Sequence, residues 1–353
     1  MGLLRGVLGA VLLLVFAQNV GATPVYRDHP TVSQPAADEL EVSAEIFGMN
    51  DTLDFFNFRE SEYVCPGCTP GMNFGDTEGV GLLVNYGLSD RFSLQSSYRR
   101  WASENAFGRL VIDSGELSLR FRPLKKVVLQ GGVRGNRSAD FSVSGADQLG
   151  ILFGYLVGPS FLFTNGSSHY VVRYGDTTLT IRKADDPLKI RFSRMQDLTP
   201  YLRLITGGEI LPGWQGSLFV EGGRSWVDTE ISLVLDPFLG ALVKPAFLGD
   251  LERQEDYVKI GFDLSTTFLG AHWNLNGHYV RLQRDSDLGY VNFNRVLQGE
   301  VAFPLASRLQ IFLSGTWYRR QFNGSVPFMY NRYSQTTFDH DYGLVSTGLV
   351  VGF

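Results

Sequence analysis

Between Leu309 and Tyr318 the chain changes polarity at every step. Leu309, Ile311, Leu313, Gly315 and Trp317 form one face, and Gln310, Phe312, Ser314, Thr316 and Tyr318 form the other. A period of two marks a strand with one apolar and one mostly polar face, because successive side chains of an extended chain point to opposite sides. The same reading sets Val291, Phe293, Leu297, Val301 and Phe303 against Asn292, Asn294, Gln298 and Glu300. It sets Ala271, Trp273, Leu275 and Tyr279 against His272, Asn274, Asn276 and His278, and Leu40, Val42, Ala44 and Ile46 against Glu39, Glu41, Ser43 and Glu45. A soluble β-sandwich alternates in the same way, so the pattern predicts an all-β antiparallel chain and leaves its solvent open.

Length and composition narrow the choice. The chain has 353 residues, with 40 glycines, 26 phenylalanines and 15 tyrosines, more than one ordinary soluble core organises. A single large barrel removes the difficulty: lipid covers its outside, and polar side chains or water occupy its inside. Polar residues interrupt every stretch after the N-terminus except Leu149 to Phe163, which carries three glycines and a proline. A helical membrane protein is therefore not the expectation. The formal net charge of −5 argues against nucleic acid as a partner.

The first residues read as an export signal. Arg5 precedes the apolar run Gly6 to Ala17, and the small-residue site Val20-Gly21-Ala22 follows. A run of about 12 residues falls short of the roughly 20 that span a bilayer. The expected organisation is a cleaved signal over 1–22, a flexible periplasmic segment over 23–38 containing Pro24, Pro30 and Pro35, and a barrel over 39–353.

Short breaks fall near Gly87–Asp90, Arg122–Lys125, Ala184–Pro187, Leu211–Gly216, Thr266–Gly270 and Pro304–Ser307. Longer stretches fall at 50–76, 102–107, 138–168, 236–254, 284–288 and 323–340. Short turns at one end and longer loops at the other characterise membrane barrels, and this scheme yields about fourteen strands, with twelve and sixteen left open. Their expected starts include His169, Leu188 and Pro200.

The last eight residues carry Ser346, Gly348, Val351 and a terminal Phe353. This resembles the C-terminal β-signal of bacterial outer-membrane proteins: polar, any, Gly, two of any kind, apolar, any, aromatic. The stretch from Tyr86 to Phe92 is similar to a periplasmic turn of such barrels, with Tyr86 and Phe92 at an interfacial aromatic girdle. The resemblance implies a transmembrane antiparallel β-barrel in the outer membrane of a Gram-negative cell. It also implies outer-membrane lipid and the barrel-assembly machinery as partners, and leaves a homo-oligomer open.

Few residues suggest chemistry. Cys65-Pro-Gly-Cys68 lies in the first predicted outer loop, away from any strand-to-helix transition that would lower a thiol pKa, so a local disulfide is expected rather than a redox or metal site. The five histidines show no metal-ligand spacing. Asp339-His340-Asp341 stands where a barrel hydrolase would keep an acid/base pair, without the serine motif that would complete it. No cofactor, metal or enzymatic activity is expected. Gly150-Ile-Leu-Phe-Gly154-Tyr-Leu-Val-Gly158 is too apolar for an open loop; it either narrows the barrel mouth, packs on another subunit, or belongs to an extra hairpin.

The inward-facing charges are the candidate pore lining. Arg99, Arg120, Arg134, Arg182, Lys189, Arg191 and Arg203 come from successive strands, and Glu41, Glu45, Asp263 and Glu300 from strands that closure sets across the lumen. Opposed basic and acidic walls predict a transverse field suited to a diffusion channel. Salt-bridge filling of a closed barrel is the competing reading. The expected function is a porin-like channel for small hydrophilic solutes; the alternatives are a non-conducting structural or adhesion barrel and, behind it, a barrel-embedded hydrolase.

Overall fold

The structure, a computed structural model, describes residues 29–49, 77–105, 108–144, 161–165, 168–174, 176–182, 188–235, 251–284, 288–289, 291–320, 323–331 and 341–353. Sixteen strands among the described residues are numbered in chain order. The barrel strands are β1 (Leu40–Met49), β2 (Thr77–Gly87), β3 (Phe92–Asn105), β4 (Gly108–Leu124), β5 (Val127–Ser138), β10 (Leu188–Leu211), β11 (Trp214–Leu235), β12 (Arg253–Phe268), β13 (Ala271–Gln283), β14 (Phe293–Ala306), β15 (Leu309–Tyr318) and β16 (Tyr342–Gly352). Each pairs antiparallel with its neighbours, and β16 pairs with β1, so the sheet closes on itself with twelve strands.

Two features account for the difference from about fourteen. The strand starting at His169 is β8 (His169–Tyr174), which pairs only with β7 (Phe161–Asn165) and β9 (Thr177–Arg182) in a separate three-stranded sheet. The strands expected at Leu188 and Pro200 are one strand, β10. Proline lacks the ladder N–H and usually ends a central strand, yet here the pairing with β5 runs through Pro200↔Val133. On the β11 side the bridges skip Thr199 and Pro200, and a hydrogen bond of 2.8 Å between the Thr199 and Ser225 hydroxyls spans the gap.

Two-residue turns join the strands at the end where both described termini lie, at 125–126, 212–213, 269–270 and 307–308, close to the predicted short breaks. Leu269 and Gly270 both have positive φ (53° and 73°), the conformation that lets a two-residue turn follow the twist of its strands. The break expected at Ala184–Pro187 lies outside the described residues; the strand it precedes, β10, runs toward the turn end. The β-strand β6 (Phe141–Ser144) pairs with the loop-end extension of β10.

The outside of the barrel is apolar. Ile46, Leu82, Leu202, Leu218, Ile260 and Leu313 are among its large exposed side chains. Trp214 and Trp273 stand near the turns, with Trp226 and Trp317 toward the loop end, all half-exposed, an arrangement that fits the two interfaces of a bilayer. Polar side chains point inward at the alternate positions: Glu41, Asn85, Gln95, Ser118, Gln130, Asn274 and Glu300 are all buried.

The C-terminal pattern has a structural meaning. Ser346 points inward, with its hydroxyl 2.7 Å from that of Ser314. At Gly348 a Cβ would collide with the Ala44 carbonyl and the Phe312 ring. Phe353 exchanges backbone hydrogen bonds with Leu40, sealing the β16–β1 seam.

Candidate functional site

The lumen concentrates the buried polar and charged groups of the described residues, and it is built in three layers.

At the turn end, residues 29–36 enter the barrel rather than trailing from it as the expected flexible segment. Val32 packs on Val128, Ile205 and Phe219. The Arg120 guanidinium donates to the Thr31 carbonyl on one side. On the other, His29 Nε2 lies 3.4 Å from Glu300 Oε1, and Asn276 Nδ2 lies 3.1 Å from His29 Nδ1. The Gln34 amide reaches the Asp90 carbonyl at 3.2 Å. In this layer the N-terminal segment is held by Arg120 at Thr31 and by Glu300 and Asp263 at His29.

The middle layer is a belt of paired charges of both signs. Glu45 on β1 pairs with Arg99 on β3 at 2.9 Å, and Glu116 on β4 with Arg134 on β5 at 3.5 Å. Arg134 also pairs with Glu221 on β11, and Glu221 receives Arg203 at 2.5 Å and Lys259 at 3.1 Å. The Tyr257 hydroxyl donates to Glu221 at 2.8 Å, and the Tyr201 hydroxyl donates to Glu116. Opposed walls do not describe this belt: each cation meets a carboxylate on a nearby strand, so the field is local. Glu221 was not among the candidates, although it has the inward strand parity of Ser217, Phe219 and Ser225. Two glycines make room for the belt. A Cβ at Gly81 would lie 2.6 Å from the Glu45 carboxylate, and one at Gly132 would lie 2.8 Å from the Tyr201 hydroxyl.

At the loop end an apolar cluster joins buried charged groups and a loop folds in. Residues 323–331 place Val326, Phe328, Met329 and Tyr330 in one buried cluster with Trp101, Ile112, Met195, Val227 and Tyr342. The Phe328 N–H donates to Asp197 at 3.1 Å, Arg253 donates to the Pro327 carbonyl at 2.6 Å, and the Arg284 guanidinium lies 3.8 Å from the centre of the Tyr330 ring. Gly150–Gly158, for which a narrowed mouth, a subunit contact and an extra hairpin were all open, lies outside the described residues; residues 323–331, between β15 and β16, are the segment seen folding into the mouth.

Of the remaining candidates, Arg182 is on β9 in the small sheet, pairing by backbone with His169. Arg191 projects outward and pairs with Asp140 at 3.1 Å. A bulge between Ser193 and Gln196, with Arg194 at φ 48°, exchanges the two faces of β10 at that point; a strand-parity argument carried past it assigns the wrong side. Lys189 pairs by backbone with Ser144 and Val234 in the loop-end extension. Glu41 is buried, 3.4 Å from the Asn85 amide. Asp341 pairs with Arg319 at 2.5 Å. Cys65, Cys68 and His340 lie outside the described residues.

Between the belt and the β14–β16 wall a cavity of about 280 Å³ remains, floored by Glu45, Arg99, Glu116 and Arg134 and faced by Ser314, Thr316 and Ser346.

A closed antiparallel sheet, apolar outside and ionic inside, can be compared with known barrels. The translocator domain of the autotransporter NalP from Neisseria meningitidis superposes with a TM-score of 0.50 at 10% identity, covering 91% of this chain and 90% of that one. The fold is that of a bacterial outer-membrane β-barrel. The outer-membrane barrels similar to this chain also include the β domain of the Bordetella autotransporter BrkA (TM-score 0.44, 8% identity, 90% and 99% covered). The NanC porin is another (0.42, 8%, 88% and 98%). No family model matches the chain, and no curated protein does. At such identities the likeness to the NalP domain speaks for the fold alone.

Proposed function

We propose that the chain resides in the outer membrane and forms a narrow channel for small hydrophilic solutes, closed at rest by its N-terminal segment and by the loop between β15 and β16. The observation that supports this reading is the open sector of the lumen. The β10–β12 side is filled by Tyr201, Arg203, Tyr257 and Lys259 around Glu221, whereas the β1–β4 and β14–β16 side keeps a polar cavity with the Arg99 side chain half-exposed within it. Twelve strands lie between the eight whose lumen side chains can fill and the sixteen or so of open porins, so a path confined to one sector fits the barrel size. Outer-membrane lipid and, during biogenesis, the barrel-assembly machinery are its partners in this reading, and no enzymatic role is assigned.

A non-conducting barrel is the second reading, favoured by the two plugs and the ionic belt. Liposome swelling separates them. Vesicles holding the refolded mature chain should swell in isosmotic solutions of small sugars or amino acids and slow as solute size grows. Swelling equal to that of empty vesicles, with or without residues 29–36, would favour the structural barrel.

A further inference from the structure

The cavity in the open sector has the composition of a binding site as well as of a passage. Its floor carries Glu45 on β1, Arg99 on β3, Glu116 on β4 and Arg134 on β5, alternating in sign. The set holds two acidic and two basic side chains. A solute with one net charge entering it leaves one of the four opposed by a like charge, in surroundings where Coulomb interactions are stronger than in water. A solute carrying both charges leaves the balance intact, setting its anion on the guanidinium side and its cation on the carboxylate side.

Arg134 faces Glu116 through its Nε, 3.5 Å from Oε2, and keeps part of its guanidinium open to the cavity. Guanidinium donors match a planar carboxylate. The cavity volume, about 280 Å³, lies at the small end of ligand sites.

The upper part of the same cavity is apolar and aromatic. Phe47, Trp101, Tyr318, Tyr342 and Leu344 border it, and the Tyr318 and Tyr342 rings stack with centroids 4.6 Å apart. A ligand with a charged pair at one end therefore finds an apolar cover for the other. The wall opposite the charges offers the hydroxyls of Ser314, Thr316 and Ser346.

We propose that this cavity binds a small zwitterion with an apolar or aromatic side group, of the size and chemistry of an α-amino acid. The site is defined by the lumen geometry and holds whether or not the barrel conducts.

Trp101 supplies an internal reporter, because it is buried at the cavity while the other four tryptophans stand half-exposed on the outside. The test uses the full mature chain refolded in detergent and titrates it calorimetrically with L-phenylalanine, with phenylacetate and with phenethylamine. These carry both charges, only the anion and only the cation. L-phenylalanine should bind saturably and at least about tenfold more tightly than either one-charge analogue, with a change in tryptophan emission that W101F abolishes. R99Q and E116Q should each weaken L-phenylalanine about tenfold while narrowing its advantage over the analogue that keeps the surviving partner. Circular dichroism and gel mobility show that each variant is folded; if one is not, R99K and E116D, which keep the charge and misplace it, are read instead. No saturable binding, equal affinity for the three compounds, or folded variants with wild-type affinity would overturn the proposal. Conductance without binding would remove the site and leave the channel reading standing, and binding without conductance would do the reverse.

Discussion

His29 Nε2 lies 3.4 Å from Glu300 Oε1 although 271 positions separate them in the chain. The contact fixes one end of an N-terminal segment whose other side is held by Arg120 at Thr31 and whose centre is Val32 among three barrel side chains. Deleting residues 29–36 removes a cross-lumen strut without touching a barrel ladder. The deleted chain should keep its sheet content and gel mobility while its vesicle permeability rises by roughly twofold or more, because the constriction shortens. Unchanged permeability in a folded deletion would show that the segment does not obstruct the path.

Glu221 is enclosed by Arg134, Arg203 and Lys259. Glu221→Gln leaves three cations without their shared counter-charge, and breaking a buried pair in this way costs about 3–5 kcal/mol. Denaturant unfolding of the refolded barrel should show a loss of that order. Glu221→Gln/Lys259→Met should recover part of it, since one surplus charge is gone and the two sites are directly coupled. A single variant as stable as wild type would mean that lumen water screens the cluster.

Much of the fold was legible because lipid enforces alternation. From Leu309 to Tyr318 the two faces match the structure, with Gln310, Phe312 and Ser314 buried and Leu313 and Trp317 exposed, and the short breaks other than Ala184–Pro187 fall at turns. The errors arose where local chemistry competes with periodicity. Pro200 reads as a strand start, but one neighbouring ladder tolerates its missing N–H. The bulge at Arg194 reverses the sides of β10 and turns Arg191 outward. The belt was not legible, because pairing depends on which strands become neighbours, and Glu221 meets Arg134 only after β10 joins β5. The N-terminal segment has no period to read: Val32 and His29 become informative only against the barrel wall.

Phe353 closes the seam with Leu40 through two backbone hydrogen bonds and resembles the terminal residue of an assembly signal. Removing it should lower outer-membrane yield severely in cells, while refolding into detergent changes little, because two hydrogen bonds are worth about 1–3 kcal/mol. Equal cellular yields would count against the signal reading.

Phe328 is fully buried in the loop-end cluster. Phe328→Ala should release the loop between β15 and β16, since truncating a buried aromatic costs about 3–5 kcal/mol. Limited proteolysis within 319–341 should become faster with the barrel intact. Resistance equal to wild type would show that the Asn323 amide hydrogen bond to the Phe293 carbonyl at 2.8 Å and the Arg253 hydrogen bond to the Pro327 carbonyl hold the loop alone.

Single-channel recording in planar bilayers tests the central claim, that ion flow passes through the open sector beside Arg99 and Glu45. The chain lacking residues 29–36 should give discrete current steps larger than those of the intact chain. Arg99→Gln in that background should shift the reversal potential in a salt gradient toward cations, by removing one positive charge and exposing Glu45. The shift should be largest at low salt, where the screening length grows from about 10 Å at 0.1 M to about 30 Å at 0.01 M. Absence of current in both chains, or a reversal potential indifferent to Arg99, would contradict the account.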